Sequence, residues 1–187
     1  MNKIVILGIV GSLRKASYNH FMLKAAQELV PDGAVLELLE LQGLPVFNQD
    51  DEMAPPPVVV ELKRRVLAAD AILFATPEYN YSLPGGLKNA IDWASRPFGK
   101  SAWVGKAAAV MGASVGTLGT ARAQYHLRQI LVAQDMPVVN QPEVMIANAA
   151  QWFDEQGRLG DEATRQLIRR LLDELVRLAR NVESSSW

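Results

Sequence analysis

Cysteine is absent from the 187-residue sequence, and histidine occurs only as His20 and His126. Without cysteine the chain has no disulfide, no thiolate nucleophile and no Cys-ligated metal. A chain that lacks disulfides suits a reducing compartment, so we expect a cytoplasmic protein. The acidic run at residues 50–52 has no histidine nearby. We interpret it as solvated surface rather than as a metal site.

Long apolar runs and an excess of one charge are missing as well. The 19 Lys and Arg residues nearly balance the 20 Asp and Glu residues, giving a net charge of −1. This balance gives no electrostatic basis for nucleic-acid binding. No apolar run approaches the roughly 18 residues that a membrane helix needs. Residues 1–10 lead into a Gly/Ser loop and not into a cleavage-like segment, so we interpret them as a strand.

What the sequence does contain is an alternation of short apolar runs with amphipathic segments. The predicted strands are residues 3–7, 35–41, 71–75 and 107–111, with a fifth near 138–139 that could extend through 143–146. The predicted helices cover about residues 18–30, 58–69, 84–96, 118–134 and 162–180. Continuous apolar strands are buried on both faces, as in a parallel sheet covered by helices. The alternation therefore predicts an α/β protein with a doubly wound sheet, in a single domain over residues 1–187.

A polar loop joins the first predicted strand to the first predicted helix. The first turn of a helix offers unpaired N–H groups and the positive end of the helix dipole. Ser12, Ser17 and Asn19 add neutral hydrogen-bond donors, and Arg14 adds a forked cation that matches phosphate oxygens. Ser17 could merely cap the helix, and Arg14 could be a solvated surface charge. Because four donors crowd into eight positions, we favour a phosphate site and hence a nucleotide-like cofactor.

Two further loops follow the third and fourth predicted strands. In a doubly wound sheet, ligands bind outside the carboxyl ends of the strands where the strand order reverses, so these loops should converge on the first. Residues 76–93 include Tyr79 and Tyr81, which could form a flat wall for a ring, and two glycines that permit close approach. Ordinary loop packing would explain either tyrosine alone. Residues 112–120 contain three glycines, which suits a loop whose N–H groups point at a ligand.

Other motifs fit less well. Residues 112–116 match the G-x-S-x-G of a hydrolase elbow, but no carboxylate lies between Ser114 and His126, and His126 sits at helical spacing. Val10 stands where the Rossmann fingerprint requires its second glycine, and the G-K-[ST] of a P-loop is missing. A receiver domain needs carboxylates at the ends of strands 1 and 3, whereas Thr76 and Pro77 follow the third strand. We therefore set these classes aside.

Four motifs, in order along the chain, carry a resemblance to a known family. They are G-S-x-R-x-x-S-x-N at residues 11–19, T-P-E-Y-N at 76–80, L-K-N-A-I-D-W at 87–93, and G-A-S-x-G…T-A-R-A-Q at 112–124. With these motifs the chain resembles the NADPH-dependent FMN reductase family, and its bacterial quinone and chromate reductases in particular. The resemblance spans most of the chain.

The resemblance implies a fold and a cofactor site. The fold is flavodoxin-like, with three layers and a five-stranded parallel sheet in the order 2-1-3-4-5, flanked by helices. Residues implied to hold the FMN phosphate are Ser12, Arg14, Ser17, Tyr18 and Asn19. Those implied to line the isoalloxazine ring are Pro77, Glu78, Tyr79 and Asn80. Those implied to meet its pyrimidine side or ribityl chain are Ser114, Gly116 and Thr117.

The resemblance also implies an activity. FMN would take a hydride at N5 from NADPH or NADH and pass two electrons to a quinone, chromate, an azo compound or free flavin, by ping-pong kinetics. No side chain would act as acid or base, and no metal is implied. Family members are commonly dimers or tetramers, and residues 122–143 resemble the segment that builds the larger assembly. The alternatives are an electron carrier, for which this chain lacks the strong acidity, and a flavin-binding sensor without turnover.

Overall fold

The computed structural model describes residues 3–184. The strands are β1 Ile4–Val10, β2 Ala34–Leu39, β3 Ala71–Ala75, β4 Ala107–Ala113 and β5 Val144–Ile146. The α-helices are α1 Tyr18–Leu29, α2 Pro57–Ala68, α3 Gly85–Ala94, α4 Ala121–Ala133 and α5 Glu162–Ser184. Short 3-10 turns cover Gln49–Asp51 and Ala149–Gln151.

The strands form one parallel sheet in the order β2-β1-β3-β4-β5. Ile6 of β1 lies opposite Ala71 of β3, and Ala71 in turn lies opposite Ala107 of β4. This order confirms the flavodoxin-like, doubly wound fold that the sequence predicted. Because β1 pairs with both β2 and β3, the strand order reverses beside β1, and the reversal opens a crevice at the carboxyl ends of β1 and β3.

Helices cover both faces of the sheet. Ile6, Leu73 and Ala109 point to the face that α1 and α5 cover, and their neighbours Leu7 and Ile72 point to the face covered by α2, α3 and α4. All seven residues of β4 and all five of β3 are buried. The continuous apolar runs of these strands are therefore explained by burial on both sides.

The largest departures from the predicted boundaries lie around α4 and β5. Gly119 and Thr120 have φ angles of 55° and 72°, so the helix begins at Ala121 and not near residue 118. Val138 bridges to Ala108, the chain then leaves the sheet, and β5 follows at Val144–Ile146. The predicted fifth strand therefore corresponds to an isolated bridge at Val138 and a separate strand, β5. Among residues 3–184, none of the helices has the length and apolar character required to span a membrane.

Candidate functional site

Three loops meet at the carboxyl edge of the sheet. They are the β1–α1 loop (residues 11–17), the β3–α3 loop (residues 76–84) and the β4–α4 loop (residues 114–120). The ladder continues into them, because the Gly11 N–H donates to the Ala75 carbonyl at 2.8 Å and the Thr76 N–H donates to the Met111 carbonyl at 3.0 Å. The three loops identified from the sequence are therefore brought together as expected for adjacent parallel strands.

The amino terminus of α1 has the features of an anion site. Ser17 caps the helix, since its Oγ accepts from the Asn19 N–H at 3.3 Å, and the first turn contains no acidic residue. Ser12 is buried, and its Oγ accepts from the Arg14 N–H at 3.2 Å. Residues 13–16 are exposed. The structure thus places Ser12, Arg14 and Ser17 at one junction, beside the positive end of a helix dipole.

The amino terminus of α4, unlike that of α1, is capped by a carboxylate from another loop. The carboxylate of Glu78 accepts from the N–H groups of Arg122 and Ala123 at 3.1 and 3.3 Å, and it also accepts from the Arg122 guanidinium. Glu78 therefore caps this helix from a loop 44 residues earlier in the chain. Of the two helix starts, α1 is the one that can accept an external anion. Ser12, Arg14 and Ser17, at the start of α1, fit the phosphate of a mononucleotide such as FMN.

The charge of Glu78 follows from these contacts. Burial on its own would raise the pKa of Glu78, but the hydrogen bonds from Arg122 and Ala123 and the positive charge of Arg122 outweigh it. The pKa of Glu78 consequently lies below its ordinary value of 4.5, and the group is a carboxylate at neutral pH. The Glu78 side chain is directed at α4, and the contact of residue 78 with a ring stays a prediction.

The tip of the β3–α3 loop is a two-residue turn. Tyr79 and Ser82 exchange main-chain hydrogen bonds of 2.9 and 3.0 Å, while Asn80 and Tyr81 have φ angles of 49° and 69°. Left-handed backbone at a tyrosine is costly and needs support. The guanidinium of Arg122 lies 3.6 Å from the centroid of the Tyr81 ring and supplies such support. Arg122 was not among the site residues predicted from sequence.

Tyr79 links this turn to the first loop. Its hydroxyl lies 3.3 Å from Ser12 Oγ, and its ring is half exposed. The predicted aromatic wall therefore stands directly beside the predicted phosphate junction. Pro77 is buried under the turn, and Asn80 is exposed at its tip.

Two residues of the predicted phosphate set have side chains that contact other parts of the protein. The Tyr18 ring packs against Phe153, with ring centroids 5.4 Å apart, on the hydrophobic core under α1. Asn19 is buried, and both ends of its side-chain amide bond to the main chain of Ala113, at 2.9 and 3.0 Å. Apolar packing therefore holds the Tyr18 ring, and a distant backbone group holds the Asn19 amide.

The β4–α4 loop is exposed over its central residues. Residues 115–118 are exposed, and the Ser114 N–H donates to the Ile146 carbonyl at 3.0 Å, which anchors the loop to β5. Gly116 and Thr117, both predicted cofactor contacts, lie in this exposed stretch. His126 does not face Ser114, since its Nδ1 lies 3.0 Å from Ser82 Oγ. This geometry does not assemble the serine–histidine pair of a hydrolase.

Comparisons with known proteins bear on this site. The family model for NADPH-dependent FMN reductase matches residues 4–151. The NAD(P)H-dependent FMN reductase of Pseudomonas aeruginosa is 54% identical over 173 residues, which is 92% of this chain and 93% of that protein. The NAD(P)H:quinone oxidoreductase of Solanum tuberosum is 47% identical, covering 94% and 93%. The structure of FerB, a flavoenzyme NAD(P)H:(acceptor) oxidoreductase from Paracoccus denitrificans, superposes with a TM-score of 0.88 at 39% identity, covering 95% and 98%.

Fold and site together define a flavodoxin-like oxidoreductase whose cofactor is FMN. The chain belongs to the NADPH-dependent FMN reductase family. The resemblance, the fold, the enzyme class and the cofactor predicted from the sequence are confirmed. NAD(P)H is the co-substrate of this class.

Proposed function

We propose that this enzyme reduces quinones by two electrons at the expense of NAD(P)H, in ping-pong fashion. The observation that carries the proposal is the pairing of an anion site at the start of α1, whose first turn holds no acidic residue, with the exposed Tyr79–Tyr81 turn beside it. The anion site suits the phosphate of a mononucleotide, and the turn leaves one face of its ring open to NAD(P)H and to the electron acceptor. The quinone reductase of Pseudomonas putida, 45% identical over 166 residues, supports the choice of acceptor.

The chain's own residues position the cofactor. Ser12, Arg14 and Ser17 would bind the phosphate, and the main chain around Pro77 and Tyr79 would line the ring. When bound, FMN supplies hydride acceptance at N5 and delivery of two electrons to the acceptor. The N–H groups of the exposed residues Gly116 and Thr117 would meet the pyrimidine side of the ring or the ribityl chain, and at the pyrimidine side they would stabilise negative charge. No protein acid or base is required.

Steady-state kinetics test the proposal. With FMN-loaded enzyme, initial rates of NADPH oxidation are measured against benzoquinone concentration at several NADPH concentrations. The double-reciprocal lines should be parallel, because the oxidised nicotinamide leaves before the quinone binds. Chromate, an azo dye and free FMN in the same assay rank the alternative acceptors, and NADH replaces NADPH in a second series. Absence of NADPH oxidation with every acceptor would overturn the proposal, and converging lines would overturn the ping-pong order.

Arg14 provides a more specific prediction. We expect Arg14→Ala to weaken FMN binding by about 1.5–3 kcal/mol, the scale of a hydrogen bond to a charged group. Lys15, exposed on the same loop but outside the predicted set, is the matched control, and Lys15→Ala should change the FMN dissociation constant less. Fluorescence titration of FMN measures both. An Arg14→Ala enzyme with unchanged affinity would contradict the assigned phosphate site.

We further propose that the enzyme is a homodimer or homotetramer. Val46, Met53 and Phe98 are 86, 86 and 92% exposed, which is unusual for large apolar side chains. The Phe98 loop is anchored, since the Phe98 N–H donates to Glu52 at 3.2 Å. Tyr125 and Glu143, in the segment that resembles the family's assembly region, hydrogen-bond at 3.0 Å on the surface. Light scattering in solution measures the assembly mass.

A further inference from the structure

The side-chain amide of Asn19 joins two segments that are 94 residues apart in sequence. Its Oδ1 accepts from the Ala113 N–H at 2.9 Å, and its Nδ2 donates to the Ala113 carbonyl at 3.0 Å. Asn19 is 2% exposed, so water does not compete for these bonds. We propose that Asn19 is a positioning residue that fixes the start of α1 against the end of β4, and thereby sets the spacing of the two loops between which the flavin lies. This inference rests on the proposed flavin site.

The need for this bond follows from the course of β3. The Met111 carbonyl of β4 still receives a hydrogen bond from Thr76, the residue after β3. Beyond Thr76 the chain turns out of the sheet at Pro77, which has no N–H to donate. Ala113, two residues after Met111, thus lacks a strand neighbour on this side, yet it is 2% exposed. Asn19 supplies both a donor and an acceptor at this position, which a buried backbone group requires.

A direct contact of Asn19 with the phosphate is incompatible with this arrangement. To reach the β1–α1 loop, the amide would have to leave Ala113, and both main-chain groups of Ala113 would lose their partners inside the protein. Ser17, which caps α1, and Ser12 already offer hydroxyls at the junction. Asn19 therefore acts on the cofactor through the position of α1 and the β4–α4 loop.

Comparison of FMN with riboflavin separates these two roles, because riboflavin lacks the phosphate. Asn19→Ser removes the amide that bonds both main-chain groups of Ala113 and adds no charge to the first turn of α1. We expect it to weaken FMN and riboflavin alike, each by about tenfold, so that the ratio of the two dissociation constants stays as in the wild type. Arg14→Ala, a phosphate-contact control, should weaken FMN only. Loss of FMN affinity alone in Asn19→Ser would overturn the inference.

Amide hydrogen exchange of the flavin-free protein provides a readout that does not depend on flavin binding. In Asn19→Ser, and in Asn19→Asp as a second variant, the Ala113 amide should exchange at least about tenfold faster, while Val110 in the middle of β4 keeps its protection. Unchanged exchange at Ala113 would overturn the inference. If the wild-type protein bound neither flavin, the proposed function would fail, whereas the exchange result would still decide whether Asn19 holds Ala113.

Discussion

Gly112→Ala should destabilise the protein by about 3 kcal/mol, at the upper end of what overpacking costs. A Cβ at this position would lie 2.5 Å from the Thr76 carbonyl oxygen and would also overlap Thr120 Oγ1. Neither atom can retreat. The Thr76 main chain is held by its hydrogen bond to Met111, and Thr120 Oγ1 accepts from the buried Gln124 amide at 3.0 Å. Urea unfolding followed by circular dichroism measures the loss.

Gly86→Ala is the matched control for this variant. Gly86 also lies at the carboxyl edge of the sheet, but it is in the first turn of α3 and nothing lies within 4 Å of its added Cβ. Alanine at such a site should stabilise the protein by about 0.4–1 kcal/mol, because it restricts the unfolded chain. Equal destabilisation by the two substitutions would contradict the packing explanation and would indicate a general intolerance of this edge.

Gly112 also shows what a sequence pattern conveys and what it omits. Its place in the G-A-S-x-G motif suggested a loop in which bare backbone faces a ligand. In the structure, this glycine is needed because β4 approaches the Thr76 main chain and Thr120 too closely for any side chain. A motif identifies the residue type, whereas the neighbour that requires it comes from a segment far away in sequence.

The fold itself was accessible from sequence because its strongest signals are local. β3 and β4 are short, wholly apolar and bounded by polar loops, and their burial on both faces follows from that pattern. Helix ends were less accessible. The start of α4 depends on the left-handed Thr120, whose conformation nothing in the local sequence indicates.

The candidate site was also only partly predictable from sequence. Convergence of the three loops follows from parallel strand topology, so their residues could be predicted as a set. The direction of each side chain could not, because it is decided by long-range partners. Asn19 bonds to Ala113, and Glu78 caps α4, over separations of 94 and 44 residues. Arg122 was missed as a site residue for this reason, although it belongs to the T-A-R-A-Q motif.

Substitution of Glu78 is expected to have the second large effect on stability. We expect Glu78→Gln to cost about 2 kcal/mol of unfolding free energy, because it removes the charge that caps α4 and holds Arg122 over Tyr81. Glutamine retains the size of the side chain and one acceptor, so the loss reports the charge. Glu61 is the control, since it also pairs with an arginine but on the open surface of α2. Glu61→Gln should have no measurable effect on stability.

The same substitution should alter how stability depends on pH. The pKa of Glu78 is lowered in the folded protein, so the unfolded chain takes up this proton at a higher pH than the folded one. The contribution of the charge is therefore complete above the ordinary pKa of 4.5 and is lost as the pH falls through the lowered, folded value. The difference in unfolding free energy between wild type and Glu78→Gln should stay constant from pH 8 to about pH 5 and shrink in more acidic solution. A difference that persisted undiminished at about pH 3 would show that the glutamine acts through shape. The carboxylate charge would then not be what orders the Tyr81 turn beside the proposed flavin site.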